Sequence, residues 1–140
     1  MRKKHFLAVL GYIVATFVTQ ALSHFVLFKA HYASVSWIKP EPIFALGFAS
    51  MIIQGLVLSL LYDQSRLASG RILGALAISW SLGAFLVSYI ALAEAAKYAV
   101  PAVPEWIGVE ILAGAVQFTI AGLLLFLAHR GATRQGNSVV

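Results

Sequence analysis

Four long apolar runs separated by short polar breaks dominate the pattern of hydrophobic and polar positions along this chain. They cover residues 6–28, 43–62, 71–93 and 106–128. Each is long enough to cross a hydrocarbon core, which needs ~20 helical residues. The breaks are chemically distinct. The first reads "KAHYASVSWIKPEP", where Pro40 and Pro42 stop one helix and permit the start of the next. The second is the short polar "DQSRLASG". The third, "EAAKYAVPAVPE", is again closed by proline and glutamate, and a polar tail, "RGATRQGNSVV", follows the last run. The pattern predicts a single all-α membrane domain over 1–140, a bundle of four transmembrane helices with a polar tail over 129–140.

Composition supports a bilayer as the solvent. Of 140 residues 61% are hydrophobic and only 11% charged, against about a quarter charged in a soluble domain. The absence of cysteine removes disulfides, thiol catalysis and thiolate metal sites together. A net charge of +5 would suit a nucleic-acid partner, but the basic residues sit at span ends rather than along a stripe, so no nucleic acid is expected. Arg2, Lys3, Lys4, Arg66, Arg71, Arg130 and Arg134 fall on one side of the four spans, and Lys29, Lys39 and Lys97 on the other. The positive-inside rule then places both termini in the cytoplasm. Tyr32, Trp37, Tyr98 and Trp106 fall near the outer interface, where amphipathic rings are favoured.

Two other patterns compete with a plain four-span reading. "MRKKHFLAVLGYIVATFVTQALS" has the basic start, apolar centre and small-residue site of a signal peptide. The apolar run continues through "FVLF", however, which favours a retained helix. "KPEPIF" before span two and "VPEWIG" before span four match at one constant offset, as a parallel internal repeat would. Proline and glutamate also simply make a good helix start, the acid favouring the N-terminal dipole, and the helix interiors align poorly.

Lipid supplies no hydrophobic drive for helix association, so close backbone approach and polar contacts must do so. Gly11, Ala15, Thr19 and Ser23 repeat every four residues on span one, and Ala75, Ser79 and Gly83 on span three. These stripes predict tight packing of span one against span three. Gly70 and Gly74 form a further GxxxG at a span end.

The polar groups inside the spans are few. Thr16, Gln20 and His24 share one face of span one, with Ser23 beside them. Gln54 lies near mid-depth on span two with Ser50. Span three carries Ser81, Ser88 and Tyr89, with Glu94 at its end, and span four has Glu110 and Gln117 on one face with Gly114 between them. A rise of ~1.5 Å per residue puts His24 and Glu110 each ~6 Å below the outer boundary. Two layers are therefore expected: an outer one of His24, Tyr89 and Glu110, and a central one of Gln20, Gln54 and Gln117. Intramembrane ionisable groups mark ligand sites and proton relays, and His24 is the partner at the level of Glu110. The same groups would also serve as interhelical glue, worth ~0.6 kcal/mol each. No HxxxH or ExxH spacing accompanies the histidines, so no metal is expected. No phosphate-binding, nucleophile-elbow or dinucleotide motif is present, so no cofactor is expected and enzymatic activity has no support.

The basic start "MRKKHFLAVLGYIVA", a histidine near the exit of span one, "GLVLSLLYDQ" closing span two and "EWIGVEILAGAVQFTIAGLLLFLAHR" as the last helix resemble an uncharacterised family of small bacterial four-span integral membrane proteins, grouped as a domain of unknown function. The resemblance implies a multi-pass protein of the bacterial inner membrane and carries over no site residues. Two function classes follow. One is a small binding or transport module with a site made by His24, Glu110, Tyr89, Gln20, Gln54 and Gln117. The other is a non-catalytic accessory or scaffold subunit. In either case the partners are the lipid bilayer and a second copy or membrane-complex subunit.

Overall fold

The computed structural model of the protein describes residues 2–39, 41–65 and 71–136, the side chains of 131–136 excepted. Pro40, Arg66 and Gly70 lie outside the described residues, as does the side chain of Arg134. All regular structure among the described residues is helical. Helix α1 (Lys3–Leu22) is prolonged by a π-helical turn, Ser23–Leu27, and followed by a short helix α2 (Lys29–Ala33). Helix α3 (Phe44–Gln64) leads back, α4 (Ile72–Ser88) returns and continues through a π-helical turn, Tyr89–Glu94, into α5 (Ala95–Lys97), and α6 (Val103–Gly136) closes the bundle. Four of these segments, Lys3–Leu27, Phe44–Gln64, Ile72–Lys97 and Val103–Arg130, are long and apolar enough to cross a membrane. We call the end that carries both termini basal and the opposite end distal.

The helix boundaries follow from local chemistry. Proline is tolerated in the first turn of α6, where Pro104 surrenders an N–H that has no helical partner, and Glu105 beside it complements the helix dipole. Two features depart from the sequence pattern. The first break contains α2, and the last helix runs through Gly136 instead of ending at 128.

Packing also differs from the expected pairing of spans one and three. Apart from Gly11, which is half-buried, the residues of both small-residue stripes are buried, but α1 and α4 scarcely meet; both pack against α6. Each stripe receives side chains of α6. A Cβ on Gly11 would stand 3.0 Å from Leu124 Cβ, and one on Gly83 would stand 2.6 Å from the Phe118 ring. In the other direction, Gly122 of α6 lies against Leu76 and Ser79 of α4, and Ser79 Oγ donates to the Phe118 carbonyl at 2.6 Å. A small residue makes a notch, and a notch fits whichever neighbour brings a bulky group. Here α6 brings Phe118 and Leu124.

Helix α3 packs on α1 through its basal half. Gly55 lets the Tyr12 Cβ approach to 3.0 Å of where its own Cβ would be, and Leu58, Ser59 and Tyr62 are buried. Its distal half leans away, and every residue from 41 to 50 is exposed. Phe17 and Phe48 stack across the gap to α1, their centroids 5.8 Å apart. Helices α3 and α4 touch far less than the other adjacent pairs. The main core therefore lies between α1, α4, α6 and the basal half of α3, with a second aromatic cluster of Tyr32, Val35, Trp106 and Val109 capping the distal end.

Candidate functional site

The divergence of α3 leaves a cavity of ≈ 380 Å³ in the distal half of the bundle. Its polar lining comes from Thr16, Gln20 and His24 of α1 and its π turn, Ser50 and Gln54 of α3, and Glu110 and Gln117 of α6. The rest is apolar, including Phe17, Phe25, Phe44, Phe48, Val87 and Phe118. Gly114 contributes by absence. A Cβ there would collide with the Val87 side chain, so glycine is what allows α4 to close the cavity floor against α6. Gly47 of α3, also in the lining, has nothing within 4 Å of where its Cβ would be.

The three glutamines form one hydrogen-bonded chain. Gln20 Nε2 donates to Gln117 Oε1 at 2.8 Å, and Gln117 Nε2 reaches Thr16 Oγ1 at 3.1 Å and the Tyr12 hydroxyl at 3.4 Å. Tyr12 in turn donates to Gln54 Oε1 at 2.7 Å, and Gln54 Nε2 donates to Ser50 Oγ at 2.9 Å. Helices α1, α3 and α6 are tied together in this way, with Tyr12, which is fully buried, at the centre. Nothing in the sequence marks Tyr12, because a tyrosine in a span is usually an interfacial or packing residue. Its part in the chain comes from Gln54 and Gln117, both remote in sequence.

At the distal end His24 and Glu110 are brought together through an intermediary. Glu110, only 7% exposed, accepts a hydrogen bond from the Tyr32 hydroxyl at 2.8 Å. Tyr32 projects from α2, contacts Ser23 Oγ at 3.3 Å, and stacks on the His24 ring with centroids 3.6 Å apart and planes 12° from parallel. Burial pushes the Tyr32 phenol well above its ordinary range, so it stays protonated and donates. His24 Nδ1 lies 3.1 Å from the Gln20 carbonyl oxygen. The direct histidine–carboxylate pair expected from depth is thus replaced by a tyrosine wedged between the two. Tyr89 does not join them: it is 53% exposed, and its ring lies under the Lys97 ammonium, 4.9 Å from the centroid. The π turn that carries Tyr89 instead turns the Ile90 carbonyl to Trp106 Nε1, 3.1 Å away.

The chain matches no family model, no curated protein and no solved structure.

A separate polar cluster holds the basal end. Ser59, fully buried, stands between two imidazoles, with His5 Nδ1 at 2.9 Å and His129 Nε2 at 3.4 Å. His129 Nδ1 donates to the Leu125 carbonyl at 3.1 Å, and its ring meets Tyr62 edge-on. Lys4 pairs with Asp63, whose other oxygen is 3.7 Å from His5 Nε2. By position in the sequence, His5 and His129 read as interfacial residues; both are 8% exposed and face inward. Among the described residues no group of three or more His, Asp or Glu side chains could hold a metal ion.

Proposed function

We propose that this chain is a multi-pass protein of the bacterial inner membrane, a member of the four-span family its sequence resembles, with both termini cytoplasmic. In its outer half it holds a small amphiphilic ligand. The orientation rests on the excess of Lys and Arg at the basal end. The binding reading rests on one observation: a single cavity is lined both by five phenylalanines and by Gln20, His24, Gln54, Glu110 and Gln117. Ligand sites are mostly apolar concavities with a few placed polar groups, and ≈ 380 Å³ is within their usual range. The sparse packing of α3 on α4 offers a lateral way in from the bilayer. In a transport module this site would be the binding step.

The test fills the cavity without disturbing the fold. Gly47→Trp places a large side chain where no atom lies within 4 Å of the glycine's would-be Cβ. In zwitterionic-lipid nanodiscs, aromatic amphiphiles built on a naphthalene ring should show saturable binding to the wild type above empty discs. The variant should lose that binding while keeping its helix content. Equal binding by both proteins, or none by either, overturns the reading.

The glutamine chain favours a second reading, an accessory or scaffold subunit in which the polar groups fix helix register. It predicts that Glu110→Gln and His24→Ala lower stability and leave every binding signal intact.

A further inference from the structure

The hydrogen-bond directions at the cavity wall carry the proposal one step further, to the chemistry of the ligand's head; this step rests on the binding reading above. Both amide protons of Gln117 are engaged by Thr16 and Tyr12, so its oxygen is the group that accepts from Gln20. As placed, the chain runs from Gln20 to Ser50, and Gln20 Oε1 has no donor among the described residues. At His24, a carbonyl oxygen can only accept, so Nδ1 carries the proton, and when the ring is neutral Nε2 presents a lone pair. At Glu110, Tyr32 donates to one carboxyl oxygen, and no Lys, Arg or His among the described residues forms an ion pair with it. Gln20, His24 and Glu110 all line the cavity. None of their free atoms is sealed away: the buried unpartnered side-chain atoms among the described residues are Thr19 Oγ1 and His31 Nε2.

The lining thus offers three acceptors, one of them a carboxyl group, alongside the second amide N–H groups of Gln20 and Gln54 and the Ser50 hydroxyl, in a site that also carries five phenylalanines. A carboxylate or phosphate head at Glu110 would meet acceptor against acceptor. A primary ammonium brings three donors and a charge that pairs with a carboxylate. Aromatic faces also attract cations. We propose that the cavity binds an amphiphilic primary amine, its ammonium held by Glu110 with Gln20 and His24, and its apolar body against the phenylalanines.

Three probes with one ring system test this: 2-naphthylmethylamine, 2-naphthylmethanol and 2-naphthoic acid. Each is titrated at neutral pH into the full-length protein in zwitterionic-lipid nanodiscs, with empty discs subtracted. The amine should bind at least ten-fold tighter than the alcohol, and the acid weakest. Glu110→Gln should abolish the preference for the amine while the alcohol still binds. An alcohol that matches the amine in the wild type, with both lost in Gly47→Trp, overturns the ammonium assignment and leaves the cavity reading standing. Saturable binding by none of the three overturns both. The ratio in the wild-type protein decides the point even where Glu110→Gln fails to fold.

Discussion

Tyr32→Phe removes one hydroxyl from the distal site and leaves its ring in place, so the stack on His24 survives and the hydrogen bond to Glu110 does not. Tyr32 is 5% exposed and Glu110 7%, and their oxygens are 2.8 Å apart, so the bond joins two largely desolvated groups. Hydrogen bonds to charged groups contribute ~1.5–3 kcal/mol in soluble proteins, whereas side-chain hydrogen bonds within membrane bundles average ~0.6 and reach ~1.7 kcal/mol. Because α2 lies beyond the candidate spans while Glu110 lies inside one, a coupling of about 1–2 kcal/mol is expected, between those two ranges. The measurement is a double-mutant cycle of Tyr32→Phe and Glu110→Leu, followed by reversible unfolding in mixed micelles. Ser23→Ala serves as the control for the second contact of the hydroxyl, at 3.3 Å. A coupling below about 0.3 kcal/mol, the level at which independent sites add, would refute the claim that the tyrosine holds the carboxyl group.

The same phenol sets an alkaline limit. Its folded-state value is raised by burial, so its contribution is complete below the ordinary tyrosine value of ~10 and is lost as pH climbs above it; Tyr32→Phe should flatten the alkaline limb of a stability–pH curve, and an unchanged limb contradicts the burial. Glycine to alanine should act with opposite signs at two sites. Gly47→Ala gains ~1 kcal/mol of helix propensity with nothing to strike, whereas Gly83→Ala drives a methyl into Phe118 and should lose ~1–3 kcal/mol of packing, only partly offset by that gain. Equal melting temperatures for the two variants would mean that α4 does not use this notch. Ser59→Ala leaves His5 and His129 without their shared partner and should cost ~1–3 kcal/mol; a neutral outcome would show that the basal cluster contributes nothing to holding α1, α3 and α6 together.

Much of the architecture was legible along the chain because span length and apolarity are local properties. Runs near 20 residues, two of them with proline and glutamate at their starts, mark four helices without any knowledge of their neighbours. Polar residues inside those runs are equally visible, and Gln20, His24, Gln54, Glu110 and Gln117 all line one cavity. Partner choice is not local. The stripes of Gly11–Ser23 and Ala75–Gly83 announce close approach but not to what, and α6 fills both because Phe118 and Leu124 fit the notches. Depth alone placed Tyr89 beside Glu110. Depth says nothing of rotation about the helix axis, and the π turn over Tyr89–Glu94 changes that rotation.

Residue types and spacing along the chain, then, determined four helices of membrane-crossing length and a small set of polar groups within them. Only the tertiary structure decided that α6 is the helix on which α1 and α4 meet, that α3 leans away to open a cavity, and that Tyr32, from a short helix in a connecting segment, stands between His24 and Glu110. The physical reason is that each of these depends on shape and hydrogen-bond direction between segments far apart in sequence. Tyr32 and Glu110, 78 positions apart, find each other only when the bundle closes.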